Sequence, residues 1–166
     1  MSARVLVAGV GNIFFSDDGF GSEVLRLLEG ERVDGVKIED FGIAGLHLGY
    51  ELLAGYERAI VVDVVPSGGT PGTLYVIEPD LSAPAPPLDA HRMDLTSVFA
   101  FVRTLGGEAP PIDIVGCEPL SVDEGIGLSE PVAAAVEPAA ALVRTLIARA
   151  LSAPTRQEGE TTCLEA

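Results

Sequence analysis

The chain is poor in positive charge. Its 166 residues carry 10 lysines and arginines against 25 aspartates and glutamates, a formal net charge of −15. Such a chain repels nucleic-acid phosphates and anionic membrane surfaces, which excludes both as partners and leaves neutral or basic ones. Cysteine is scarce as well. Cys117 and Cys163 are too few for a disulfide framework, so a reducing cytoplasm is the natural compartment. No run reaches the roughly 18 apolar residues that a membrane span requires. An apolar stretch does follow Arg4, but Asn12, Asp17 and Asp18 interrupt it too early for a secretory signal. Internal repeats are absent. Histidine occurs at only two positions, His47 and His91, so any imidazole chemistry rests on one of them.

What is present suits one packed domain. Hydrophobic residues make up 48% of the chain, and the length is enough to bury a core without covalent staples. Val5 to Val10 is an apolar β-rich run without polar alternation, as in a strand covered on both faces. Gly9 and Gly11 allow a tight turn after it, and Ser16, Asp17 and Asp18 fall where a helix cap and first turn are expected, with Gly21, Val24, Leu25 and Leu28 continuing at helical spacing. Read structurally, the two aspartates cap this helix and complement its dipole. Read functionally, a carboxylate is aimed at the carboxyl end of the first strand. A dinucleotide fingerprint fails here, because Phe14 stands at the third glycine position and two carboxylates occupy the helix start that would attract a pyrophosphate.

Further along, Val36 to Glu39 reads as a second strand ending at Asp40 and Gly42. Gly45 opens a short helix with Leu46, Gly49, Leu52 and Leu53 toward the sheet and His47 at the surface. Ala59 to Val62 forms a third strand that stops at Asp63, a carboxylate costly to bury anywhere but at a strand terminus. A turn-rich link from Pro66 to Pro71 leads to a strand over Gly72 to Ile77, and so short a link predicts an antiparallel neighbour. The proline-rich stretch from Pro79 to Pro87 is a surface loop that delivers His91 to the start of a helix marked by Leu95, Val98, Phe99 and Val102. Ile112 to Val115 is the last strand, with Cys117 a small buried hydrophobe and Glu118 at the same sheet edge. Ser129 caps the final helix, and Pro138 predicts a kink or break within it.

The alternation of patterns predicts an α/β fold: a three-layer α/β/α sandwich on a mostly parallel five-stranded sheet with one antiparallel strand. The domain covers 1–151, followed by a polar, disordered tail over 152–166, and the molecule is expected to be a monomer. If strands one and three are parallel, Asp18 and Asp63 meet at one sheet edge and His91 closes over them. Two oxygens and one nitrogen make an incomplete site for a borderline divalent ion, leaving coordination positions for something else.

Several of these segments carry a resemblance. Gly9-x-Gly11-Asn12 with Asp17-Asp18-Gly19-x-Gly21, Asp40 to Gly45, Val62-Asp63, His91, and Gly125-Ile126-Gly127-Leu128-Ser129-x-Pro131 run in order over residues 4–150. Together they resemble the hydrogenase maturation endopeptidases, which trim the C-terminus of the large subunit of nickel-iron hydrogenases. The resemblance implies that Asp18, Asp63 and His91 are both the catalytic and the metal-binding residues. It also implies that the nickel is supplied by the large-subunit precursor rather than held permanently. Where the family often has D-G-G-T, this chain has Asp40-Phe41-Gly42-Ile43, which points to these four residues for substrate selection. No serine or cysteine nucleophile with a base stands out, so water is the expected attacker. An escort that recognises nickel through the same ligands without cutting is the alternative.

Overall fold

The computed structural model describes residues 3–82 and 94–155. Five strands form one sheet: β1 (Val5–Val10), β2 (Val36–Gly42), β3 (Arg58–Val64), β4 (Leu74–Ile77) and β5 (Ile112–Cys117). Four α-helices surround it: α1 (Phe20–Leu28), preceded by a 3-10 turn over Ser16–Gly19, α2 (Gly45–Leu52), α3 (Leu95–Thr104) and α4 (Glu130–Ser152). The strand order is β2-β1-β3-β5-β4, parallel except for the β4–β5 pair. This is the expected mostly parallel sheet with one antiparallel strand. The antiparallel partner of β4 is β5, not the β3 that precedes it in the chain, because the turn-rich link carries the chain past the place that β5 later fills.

Both faces of the sheet are covered, which is why β1 reads as an unbroken apolar run. Val5 and Val7 point to the layer of α1 and α4, where they join Phe20, Val24, Leu25, Val143 and Ile147. Leu6 and Ala8 point the opposite way, to Leu48 and Leu52 of α2 and Val98 and Val102 of α3. Each fully buried side chain of this size stabilises the fold by about 1.5–3 kcal/mol. On α2 the buried face is Gly45, Leu48, Gly49 and Leu52, while the expected Leu46 is exposed. Gly49 explains the choice: a Cβ there would lie 2.7 Å from the Phe101 ring of α3, so this glycine faces the neighbouring helix.

α4 also departs from expectation. The helix runs through Pro138 without a break. Proline leaves the carbonyl of Ala134 without its helical donor, but Ala134 and Pro138 are both on the solvent face, while Ala135, Ala139 and Ala140 hold the opposite face against the core. By length and composition alone α4 could cross a membrane. Its apolar residues have another explanation in the core they fill. The start of α4 differs too, since Ser129 makes no side-chain cap bond and instead donates its hydroxyl to Asp17.

The strand order reverses direction between β1 and β3. At such a switch point the loops leaving the two strands go to opposite faces and open a crevice above the carboxyl ends. Asp18 follows β1 and Asp63 lies near the end of β3, so both fall at that crevice.

Candidate active site

A cleft of about 510 Å³ occupies the crevice, with Gly11, Asn12, Phe15, Asp18, Ile43, Asp63, Asp94 and Val122 among the residues that line it. Two glycines set its depth. Gly11 has φ of +128°, and a Cβ on it would stand 2.0 Å from the carbonyl oxygen of Asp18. Gly21 sits where a Cβ would fall 2.5 Å from the Val10 oxygen and 2.6 Å from the Val62 oxygen. Only glycine lets α1 and the turn before it come this close to the ends of β1 and β3, and that approach carries Asp18 over the crevice.

The adjacent aspartates have separate duties. Asp17 is fully buried. Its carboxylate accepts hydrogen bonds from the Leu120 N–H (2.8 Å), the Ser121 N–H (3.0 Å), the Ser129 N–H (2.7 Å) and the Ser129 hydroxyl (2.9 Å). Burial alone would push this carboxyl up, but these donors outweigh it and hold it below the usual carboxylate range. Asp17 therefore fastens the β1–α1 turn to the β5–α4 loop, helped by a bridge between Phe15 and Gly125. Ser16 between them is held at φ of 51°, a left-handed conformation, by bonds from its N–H to the Gly125 oxygen and from its hydroxyl to the Asp123 oxygen.

Asp18 faces the cleft, where one carboxylate oxygen accepts the Asn12 N–H at 2.8 Å. Asp63 is half-buried at the strand end, and its carboxylate accepts the N–H of Val64 at 2.7 Å. Burial pushes the Asp63 carboxyl up to about 7, with the Val64 N–H opposing and the charges of Asp18 and Asp94 adding to the rise. No lysine or arginine pairs with Asp18, Asp63 or Asp94 among the described residues.

The structure thus brings Asp18 and Asp63 to one cleft, as expected. His91 lies outside the described residues, and among these no cluster of three metal-ligating side chains occurs. His47 is exposed and packs edge-on against Phe41 at 5.3 Å, away from the cleft lining. Of the four loop residues expected to select substrates, Gly42 and Ile43 line the cleft. Phe41 turns into the core, and Asp40 accepts the Gly42 N–H at 2.9 Å to shape the turn. Glu118 is buried beside β4, where the Ser67 hydroxyl, working against burial, leads the Ser67 N–H, the Tyr75 hydroxyl and the Gly68 N–H in holding it at about 2. It braces the β3–β4 link instead of entering the cleft. Cys117 is buried, which pushes its thiol up to about 11 and leaves no thiolate for attack at neutral pH.

Sequence reasoning missed Asp94. It caps α3, its carboxylate accepting the N–H and the hydroxyl of Ser97 at 2.9 Å, and it lines the cleft as a third acid. An aspartate three residues before a serine, just ahead of the apolar spacing from Leu95, was the available signal.

The domain thus gathers three acidic side chains at its switch point, with no lysine or arginine paired to them among the described residues. The chain belongs to the hydrogenase maturation protease family, whose model matches residues 23–145. It is 33% identical over 142 residues to the hydrogenase 2 maturation protease of Escherichia coli K12, covering 82% of this chain and 85% of that protein. It is 32% identical over 167 residues to the hydrogenase expression/formation protein HupM of Azotobacter chroococcum, covering 96% and 78%. Among solved structures, the hydrogenase maturating endopeptidase HybD from E. coli matches with a TM-score of 0.72 at 30% identity, over 88% of this chain and 93% of that one. The chain is accordingly a peptidase of hydrogenase maturation.

Proposed function

We propose that this peptidase removes a C-terminal extension from the large-subunit precursor of a nickel-iron hydrogenase, in the cytoplasm, and recognises the nickel already installed in that substrate through Asp18, Asp63 and His91. One observation carries the reading: two carboxylates share a cleft with no lysine or arginine partner among the described residues, and burial and acidic neighbours push one of them up to about 7. Such a pair repels itself until a cation comes between its members, and here the substrate brings the cation. A precursor without nickel offers nothing to offset the repulsion. A loaded one is drawn in and its scissile bond is fixed in place.

Hydrolysis then requires a proton acceptor for the attacking water. The carboxylates that line the cleft are the groups placed to serve, and Asp63 stands among them at the end of β3. Asp63 takes the proton as the water oxygen bonds to the carbonyl carbon. The proton then passes to the departing amine as the carbon–nitrogen bond breaks, and the protease is an aspartyl-type enzyme in this sense. Asp18, steadied by the Asn12 N–H, holds the cation against the cleft.

The test is to incubate the protein with nickel-loaded and nickel-free precursor and to read the substrate mass over time. Loss of a C-terminal fragment from the loaded form alone is the expected result. Cleavage of both forms at equal rates would remove nickel from the scheme, and cleavage of neither would return the protein to an escort role.

A further inference from the structure

Of the thirteen large apolar side chains exposed among the described residues, seven sit on three neighbouring loops. The turn after β1 presents Ile13, Phe14 and Phe15. The β2–α2 loop presents Ile43 at 67% exposure, and the β5–α4 loop presents Leu120, Val122 and Ile126, the last at 82%. Phe15, Ile43 and Val122 wall the cleft beside Asp18 and Asp63. Ile13 and Ile126 continue outward along a second groove toward α1 and α4. Single exposed apolar residues need no explanation, but a contiguous apolar rim around a polar cleft marks an interaction surface.

The rim is also braced. The Gly11 N–H donates to the Gly42 oxygen at 2.9 Å, the Gly125 N–H to the Phe14 oxygen at 2.8 Å and the Ser16 N–H to the Gly125 oxygen at 2.8 Å. Together with the four bonds to Asp17, these join the three loops into one backbone unit. Side chains shown on a fixed backbone lose little freedom when covered, which favours binding.

We propose that this rim seats the folded body of the precursor, and not only the extension that is cut; the inference rests on the function proposed above. Any polypeptide whose peptide bond lies at Asp18 and Asp63 must cover Phe15, Ile43 and Val122, which share the cleft wall with them. The rim runs on past the cleft into the second groove, offering more apolar surface than the residues flanking one bond would use. Asp123 and Glu124 are exposed next to Val122, and the whole chain carries −15. The complementary surface is therefore an apolar patch bordered by lysine or arginine.

The measurement is affinity for nickel-loaded precursor, compared among proteins that all carry Asp63→Asn, so that none turns over and the lost nickel contact is the same in each, together with steady-state processing in proteins that keep Asp63. Phe14→Ser combined with Ile126→Ser should raise Kd and KM at least tenfold with kcat retained, and a thermal melt should show the fold intact. Should that pair fail to fold, Ile126→Ser alone carries the test. Val76→Ser, an exposed apolar residue on β4 away from the rim, should change neither constant. A synthetic peptide of the extension should be bound equally by rim variants and parent. The inference is overturned if rim variants bind precursor as the parent does, or if they lose peptide and precursor by the same factor. Should the proteolytic reading fail instead, nothing is cleaved, yet the binding arm still reports on the rim.

Discussion

The two ends of one sheet treat their acids in opposite ways. At the amino end, Arg4 holds Glu57 at 2.7 Å, and Arg58 grips Asp113 with two bonds, of 2.6 and 2.8 Å, while also reaching Glu78 at 2.6 Å. At the carboxyl end, Asp18, Asp63 and Asp94 share a cleft with no arginine or lysine among the described residues. Of its 10 basic residues, the chain places several where they stabilise the fold, and none of those described pairs with an acid of the cleft. The lesson concerns cause. Acidity at the cleft is not a by-product of an acidic chain, since the same chain neutralises acids elsewhere on the same strands.

The sharpest way to break this contrast is to neutralise one acid at each end. Asp63→Asn should lower precursor processing by about 10² to 10⁴-fold, the usual contribution of a general base, as followed by the mass of the precursor over time. Arg58→Gln should leave the rate per folded molecule unchanged, and a comparable loss would mean that the two ends are not separate. Stability should show the reverse. Arg58→Gln strands the buried Asp113 carboxylate and should cost about 2 kcal/mol in urea unfolding, less than for a fully buried pair because Arg58 still meets solvent.

The smallest effect has the most informative sign. The Asp63 carboxyl ionises near 7 in the folded protein against an ordinary value of 3.8. Between those values the folded state keeps a proton that the unfolded chain has released. The contribution of this group to stability is therefore full below about 4 and is lost as pH rises through 7. Asp63→Asn escapes that loss. The inactive variant should be more stable than the parent by about 1 kcal/mol at pH 8 and equal to it at pH 4, allowing for the solvent that reaches a half-buried group. A variant less stable at both pH values would mean that Asp63 is there to support the fold.

Much of this was legible in the sequence, and the reasons are local. Val5–Val10 and Arg58–Val64 are apolar because both their faces are covered, so pattern alone locates the strands, and a carboxylate at such a strand's end declares itself. What pattern could not resolve was division of labour between neighbours. Asp17 and Asp18 are the same residue in adjacent positions, and only the distant partners Leu120, Ser121 and Ser129 decide which one is consumed in structure. Phe41 and Ile43 were read as one selecting loop, yet Phe41 still belongs to β2 and packs into the core, while the turn at Gly42, with φ of +53°, ends the strand and leaves Ile43 in the cleft. Pro138 was judged by its missing N–H alone, whereas its exposure on α4 settles the outcome. Asp94 escaped notice because a cap and a cleft acid have the same signature.

The donors to Asp17 have one further consequence, for how this enzyme can change over evolutionary time. Three of the four are main-chain amides, which every residue except proline supplies. The anchor of the β5–α4 loop is thus largely indifferent to the identity of the side chains that the loop displays. Leu120, Val122 or Ile126 can be replaced without removing any of the bonds that hold Asp17, and with it the turn that presents Asp18.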